Sequence, residues 1–243
     1  MSLRHWFVFG AALAVLAPIT PARAQAPATA PSQPAPSQSV PSGPAYVVTY
    51  FEVAPASSRK TGGLLRSFAA ATRKEDGNVE FLALHEIARP GRFAIVEAWR
   101  DKAALDAHGA AMKALADKLQ ASFASPFDAR QFWTLSLAAP AAPADLSNAI
   151  YVLTHVDVFP AGKDQVAALI KQQVDDSRKD GGVLRFDAVI QDARPNHFHL
   201  IEAWANRGVR EAHALAEHTR QFRAKLVPFE GALYDERLFE AIR

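Results

Sequence analysis

No cysteine occurs in the 243 residues. That absence excludes disulfides, thiolate metal sites and a cysteine nucleophile, and it leaves the compartment open. Charge of one sign is also scarce. The formal net charge is +2 with acids and bases interspersed, and no segment is basic enough for a nucleic-acid partner. No nucleotide-binding fingerprint is present. Long apolar runs are missing too: the run from Trp6 to Leu16 is too short to span a bilayer. It follows Arg4 and His5, is broken by Pro18 and Pro21, and ends at Ala22-Arg23-Ala24. A basic start, an apolar core and an A-x-A exit predict a signal peptide over residues 1–24, cleavage after Ala24, no membrane attachment afterwards, and a periplasmic or secreted protein. Residues 25–44 are Ala, Pro, Ser and Gln with almost nothing to bury, which predicts a disordered tether.

Much else is present twice. Tyr46-Val47-Val48-Thr49 is echoed by Tyr151-Val152-Leu153-Thr154, a shift of 105 from Tyr46 to Tyr151. The same shift pairs Arg73-Lys74 with Arg178-Lys179, Gly77 with Gly182, Ala88-Arg89-Pro90 with Ala193-Arg194-Pro195, Glu97-Ala98-Trp99 with Glu202-Ala203-Trp204, and His108 with His213. After the histidines, aligning Pro126-Phe127 with Pro228-Phe229 makes the second copy three residues shorter. Large units of this kind are duplicated domains, since solenoid repeats have shorter periods. The modules are expected over 45–137 and 149–243, with an Ala/Pro-rich linker at 138–148.

Each copy carries one order of elements. Tyr46–Val53 and Tyr151–Val158 are β-branched and aromatic, hence strands. Leu64, Leu65, Phe68 and Thr72, and in copy two Val166, Leu169, Ile170 and Val174, fall at helical spacing. A strand pair follows over Val79–Ile87 and Phe93–Trp99, matched by Val183–Ile190 and His197–Trp204. A second helix is expected from Lys102 to Ala121, then a last strand over Gln131–Leu137, matched by Leu233–Phe239. The fold class is α+β: two ferredoxin-like β-α-β-β-α-β modules. Each antiparallel sheet has helices on one face only. The bare faces are expected to cover each other, sheet to sheet, so that the duplication builds a pseudo-two-fold pair within one chain. Such pairs could associate further into a homo-oligomer.

Ile95-Val96-Glu97-Ala98-Trp99-Arg100-Asp101-Lys102 with Leu105 and His108, and Leu200-Ile201-Glu202-Ala203-Trp204 with His213, resemble the antibiotic biosynthesis monooxygenase family. That pattern is a strand ending in E-x-W, a polar turn, and a helix histidine nine residues after the tryptophan. The resemblance implies a dimeric α+β barrel with a small pocket between sheet and helices in each module. It implies, as the leading function, a monooxygenase that needs no metal, flavin or other cofactor and acts with O₂ on a phenolic, quinol-like or polyketide-like small molecule. The alternative is a non-catalytic periplasmic protein binding a small hydrophobic ligand. The haem-degrading relatives carry a pocket Asn, Trp and His. Their positions fall at Tyr50 and His155, at His108 and His213, and near Lys118 and Arg223, so none of the three residue types is kept.

His108 and His213 lie on the apolar face of the second helix. Each reads either as a proton acceptor for substrate or as a buried histidine bonded to Glu97 or Glu202. Trp99, Trp204, Glu97 and Glu202 are expected to line or support the pocket. Tyr50 and His155 fall at a position that the family uses for substrate contact, which makes them candidates for proton transfer. His197 and His199 share one strand face with the geometry of a two-legged metal site, but solvent-facing polar residues are the favoured reading, with no metal. Copy two holds five histidines and copy one holds two, so module 2 is the expected seat of chemistry if only one module is active.

Overall fold

The computed structural model describes residues 43–137 and 148–243. The expected signal peptide, nearly all of the tether and most of the inter-module linker lie outside the described residues. Module 1 contains β1 (Ala45–Val53), α1 (Ser58–Thr72), β2 (Asn78–Glu86), β3 (Arg92–Trp99), α2 (Lys102–Leu119) and β4 (Phe123–Ser136). Module 2 contains β5 (Ile150–Asp157), α3 (Lys163–Ser177), β6 (Val183–Gln191), β7 (His197–Trp204), α4 (Arg207–Leu215), α5 (Glu217–Leu226) and β8 (Asp235–Ala241).

Local chemistry explains the shared frame. Asp101 caps α2 by accepting from Ala104 N at 2.8 Å, and Asn206 caps α4 by accepting from Val209 N at 3.0 Å. Gly77 and Gly182 have φ of +78° and +82°. A Cβ on Gly77 would stand 2.5 Å from that of Ala104, and one on Gly182 would stand 2.9 Å from Val209. Both positions therefore demand glycine, for conformation and for space.

The eight strands close into an antiparallel barrel in the order β1-β3-β2-β8-β5-β7-β6-β4. The modules do more than face each other. Their edges hydrogen-bond, with Leu84 opposite Ala241 on β2–β8 and Trp133 opposite Ile190 on β4–β6, which leaves no open sheet edge. Four antiparallel steps separate β1 from β5, so the two strands point the same way and the pseudo-two-fold axis runs along the barrel. Alternation along each strand sends Tyr46, Val48 and Phe132 and their mates Tyr151, Leu153 and Phe239 inward, into one shared core. The intervening side chains face outward onto α1 and α2, or onto α3, α4 and α5. An eight-stranded barrel is narrow enough for side chains to fill it.

Two expectations about the end of each module are corrected. The second copy is longer, not shorter. α2 runs unbroken over 18 residues, whereas module 2 uses α4, Ala216 and α5. The core residues Leu115 and Leu119 correspond to Phe222 and Leu226, a shift of 107 and thus two residues more than the 105 at His108 and His213. Two extra residues turn a helix by about 200°, so an unbroken helix would swing Phe222 off the core. The break at Ala216, whose ψ is 147°, resets the phase. Pro126-Phe127 and Pro228-Phe229 are not mates: the first pair lies in β4 and the second in a 3₁₀ turn over Val227–Phe229. The mate of Phe132 is Phe239, because they stand opposite Tyr46 and Tyr151. β4 also begins at Phe123 rather than near Gln131. Pro126 argues against a ladder strand, but it sits where the β1–β4 register shifts between Tyr50 and Glu52.

Glu80 and its repeat mate Arg185 carry opposite charges and meet inside the barrel. Arg185 Nη1 lies 2.6 Å from Glu80 and its Nε lies 2.6 Å from Asp187. These side chains are 15%, 29% and 7% exposed, respectively. Removing the guanidinium would take a cation from two acids with little water, although Asp187 keeps Arg178 at 3.3 Å. Arg185→Met is expected to destabilise the chain by about 2–4 kcal/mol, read as a lower urea midpoint. A loss below about 1 kcal/mol, the size of a surface pair, would contradict this.

Candidate active site

In module 1 a cavity of about 360 Å³ opens between the outward face of the sheet and α2. Thr49 of β1, Glu97 of β3, Leu105, His108 and Met112 of α2, and Phe127 and Ala129 of β4 line it. Each is placed by period: alternate strand residues face outward, and positions 105, 108 and 112 share one stripe of the helix. Trp99 does not line the cavity but supports two residues that do. Its Nε1 donates to Glu97 Oε2 at 3.0 Å, and its ring lies 4.6 Å from that of His108, centroid to centroid. His108 Nδ1 lies 2.7 Å from Glu75 Oε2 on the turn after α1, while Nε2 is 3.5 Å from Glu97 Oε2. Among the described residues, His108 Nε2 and Thr49 Oγ1 are buried without a hydrogen-bond partner. Thr154 Oγ1, the mate of Thr49 in module 2, is likewise unpartnered; a ligand's polar group that reached His108 and Thr49 would satisfy atoms that the folded chain leaves buried. Burial pushes the Glu97 carboxyl up, against the Trp99 hydrogen bond and the nearby His108.

Module 2 repeats the frame and changes the lining. Trp204 Nε1 donates to Glu202 at 2.8 Å, and His213 Nδ1 lies 2.7 Å from Asp180 on the matching turn. Three of the cavity positions change from apolar to charged. Arg210 stands where module 1 has Leu105, Arg223 where it has Ala116, and Glu236 where it has Ala129. Arg210 is ion-paired with Glu236. The Arg223 guanidinium lies 3.4 Å from the ring centre of Tyr234, the mate of Phe127. Charged side chains from α4, α5 and β8 thus occupy the positions that line the cavity in module 1.

The antibiotic biosynthesis monooxygenase family matches residues 44–116 and 149–225. The chain belongs to this family. Each of its two antibiotic biosynthesis monooxygenase modules supplies half of the barrel. No curated protein matches. Three solved structures span both modules. A candidate monooxygenase from Fusobacterium nucleatum is 16% identical with a TM-score of 0.74, covering 83% of this chain and 94% of its own. One from Lactobacillus acidophilus is 15% identical with a TM-score of 0.68, covering 83% and 95%. An anthrone oxidase-like protein is 12% identical with a TM-score of 0.64, covering 83% and 92%. At these identities the likeness is one of fold.

The four residues expected to transfer protons fall in three places. His108 is in the module 1 cavity and His213 is at the matching place on α4 of module 2. Tyr50 and His155 point into the barrel. There Tyr50 Oη lies 3.0 Å from His199 Nε2, and His155 Nε2 lies 3.2 Å from His197 Nδ1. His197 and His199 are 8% and 1% exposed, which corrects their solvent-facing reading: the polar face of β7 is the inside of a closed barrel. Burial, with Arg130 adding to it, pushes His155 down to about 4. Burial also holds His199 well below the ordinary histidine range and raises the Tyr50 phenol. The partners expected for the helix histidines are also revised. Tryptophan, not histidine, hydrogen-bonds Glu97 and Glu202, and the histidines meet Glu75 and Asp180. The signal was available: an acid precedes Gly77 and Gly182 by two residues in both copies.

Glu202 gives the family frame a pH signature. Burial pushes its carboxyl up to about 7, opposed by the Trp204 hydrogen bond and by Arg210. Between the ordinary value near 4.5 and about 7, the folded chain holds a proton that the unfolded chain has lost. Stability therefore falls as pH rises through that window and levels off above it. Glu202→Gln keeps an acceptor for Trp204 and removes the titration. Its stability relative to wild type is expected to improve by on the order of 2–3 kcal/mol from pH 5 to pH 8 in urea unfolding. A difference that stays constant with pH would remove this assignment.

Proposed function

We propose that the chain is an exported, cofactor-independent monooxygenase whose working pocket is in module 1, acting on a phenolic, quinol-like or anthrone-like small molecule. The observation that carries the reading is the apolar cavity of about 360 Å³ lined by His108 and Thr49, whose Nε2 and Oγ1 have no hydrogen-bond partner. That volume lies in the range of small-molecule sites. His155 and His199 are poor bases near neutral pH because burial disfavours their charged forms. In module 2 the cavity positions hold Arg210, Arg223 and Glu236.

The chemistry needs an acidic, electron-rich substrate. His108 Nε2 takes the proton from a ring O–H or an activated C–H, and Glu75 at Nδ1 holds the ring in place. The Thr49 hydroxyl donates to the oxygen on which negative charge collects. The anion gives one electron to O₂, and the radical and superoxide join in a C–O bond. The peroxide takes a proton, its O–O bond breaks, and water leaves. For a methylene substrate the balance is R₂CH₂ + O₂ → R₂C=O + H₂O. The substrate supplies the electrons, so no separate reductant enters.

Oxygen-electrode measurements on the purified chain with hydroquinones and anthrones test this. Saturable O₂ uptake, with one carbonyl formed per O₂, supports it. Inertness across the panel, combined with a ligand-induced rise in melting temperature, would turn the reading into that of a binding protein. Export is part of the proposal and is checked by N-terminal sequencing: a form beginning at Gln25 supports it, and a cytoplasmic form retaining Met1 contradicts it.

A further inference from the structure

The barrel end reached by the C-terminal ends of β1 and β5 holds a second cluster, independent of the cavity. In module 1, Glu52 stands opposite Arg92, and the Arg92 Nε lies 3.3 Å from the carboxylate. The matching register in module 2 sets Asp157 opposite His197, with Nε2 3.3 Å from the carboxylate. The acid is kept and the guanidinium is gone. His155, the mate of Tyr50, adds a second imidazole, with its Nε2 3.2 Å from His197 Nδ1. One ligand atom from each of His155, Asp157 and His197 can be chosen so that all lie within 4.8 Å of one another.

We propose that His155, His197 and Asp157 bind a first-row divalent cation, zinc being the first candidate, which takes in module 2 the place that the Arg92 guanidinium holds in module 1. Imidazole and carboxylate suit such ions. Two zinc-bound nitrogens in a tetrahedral site stand about 3.3 Å apart, given bonds of about 2.0–2.1 Å, and His155 Nε2 and His197 Nδ1 are 3.2 Å apart; Asp157, which meets Nε2 of that ring, joins the same ion by rotating its side chain. The His197 and Asp157 side chains are 10% and 24% exposed, so an ion can enter and water can complete its shell. Arg194, on the turn between β6 and β7, and Arg130 of β4 are opposing charges, and Asp128 already engages Arg130 through bonds of 3.1 and 2.7 Å. A second cluster, Asp180, His213 and His218, has a simpler explanation. Its Asp180–His213 pair repeats Glu75–His108 of module 1 and belongs to the scaffold.

Calorimetric titration of the EDTA-treated chain with zinc chloride alone tests the proposal. One zinc per chain is expected. His155→Gln and His197→Arg should each weaken binding by at least ~100-fold, while His218→Ala leaves it unchanged. His197→Arg restores the pairing of module 1, so the metal-free melting temperature should not fall. No zinc uptake by the wild type, or uptake that survives both substitutions, overturns the proposal. If His197→Arg does not fold, cobalt(II) spectra of Asp157→Asn decide. Loss of the wild-type ligand-field bands supports the site, and unchanged bands overturn it.

Discussion

His108→Ala is expected to lower oxygen uptake by about 10²–10⁴-fold, the range of a lost general base, while His213→Ala leaves the rate essentially unchanged. The comparison is internally controlled. Both histidines are buried, both meet an acid 2.7 Å away on the turn after the first helix of their module, and both lie close to the ring of a tryptophan. The two substitutions therefore remove the same structural contact. If the histidines only fix helix to strand, the two variants should lose stability and activity alike. Only a chemical role for His108 separates them, because only His108 stands beside the open cavity. The loss should fall on kcat more than on KM, since the proton is taken in the reacting complex. Equal rates in the two variants would sink the assignment to module 1.

The frame of the molecule was legible because it is local and repeated. Strand alternation at Tyr46–Val53, the glycine at each turn, and Glu-Ala-Trp with the helix histidine all recur at one shift, and together they specify the family fold. Reading failed where geometry became nonlocal. His197 and His199 share one strand face, as alternation requires. That the face is interior follows only from β2–β8 and β4–β6 closing the barrel, and these pairings have no local signature. The Pro-Phe pairs at 126 and 228 look like mates, but the break at Ala216 compensates for two residues that the alignment had placed with the opposite sign. The difference between the two pockets was hidden for the same reason. Arg210, Arg223 and Glu236 come from three elements, and nothing in the chain order indicates that they converge. Counting histidines pointed to module 2, whereas the cavity in module 1 is defined by small and apolar residues: Leu105, Ala116 and Ala129.

Moving those residues between modules should move the pocket. Leu105→Arg with Ala129→Glu rebuilds on module 1 the ion pair that spans module 2 and is expected to abolish both ligand binding and oxygen uptake. Leu105→Arg alone places a guanidinium against a half-buried apolar wall with no acid to meet it. That variant should be less stable by about 2–4 kcal/mol, and adding Ala129→Glu should recover about 1–3 kcal/mol of this as a coupling between neighbours. Activity should not recover with stability, because the restored pair occupies the ligand's volume. The reverse exchange, Arg210→Leu, Arg223→Ala and Glu236→Ala, removes three charged side chains from module 2 without removing either partner of the Trp204–Glu202 hydrogen bond or the His213–Asp180 contact. A second cavity should open there, so that calorimetry with a substrate analogue reads two sites per chain instead of one. If the double variant of module 1 still turns over substrate, the cavity is not the site. If the triple variant of module 2 binds no second ligand, three side chains do not account for the asymmetry of the two modules, and the difference must lie in the frame that they share.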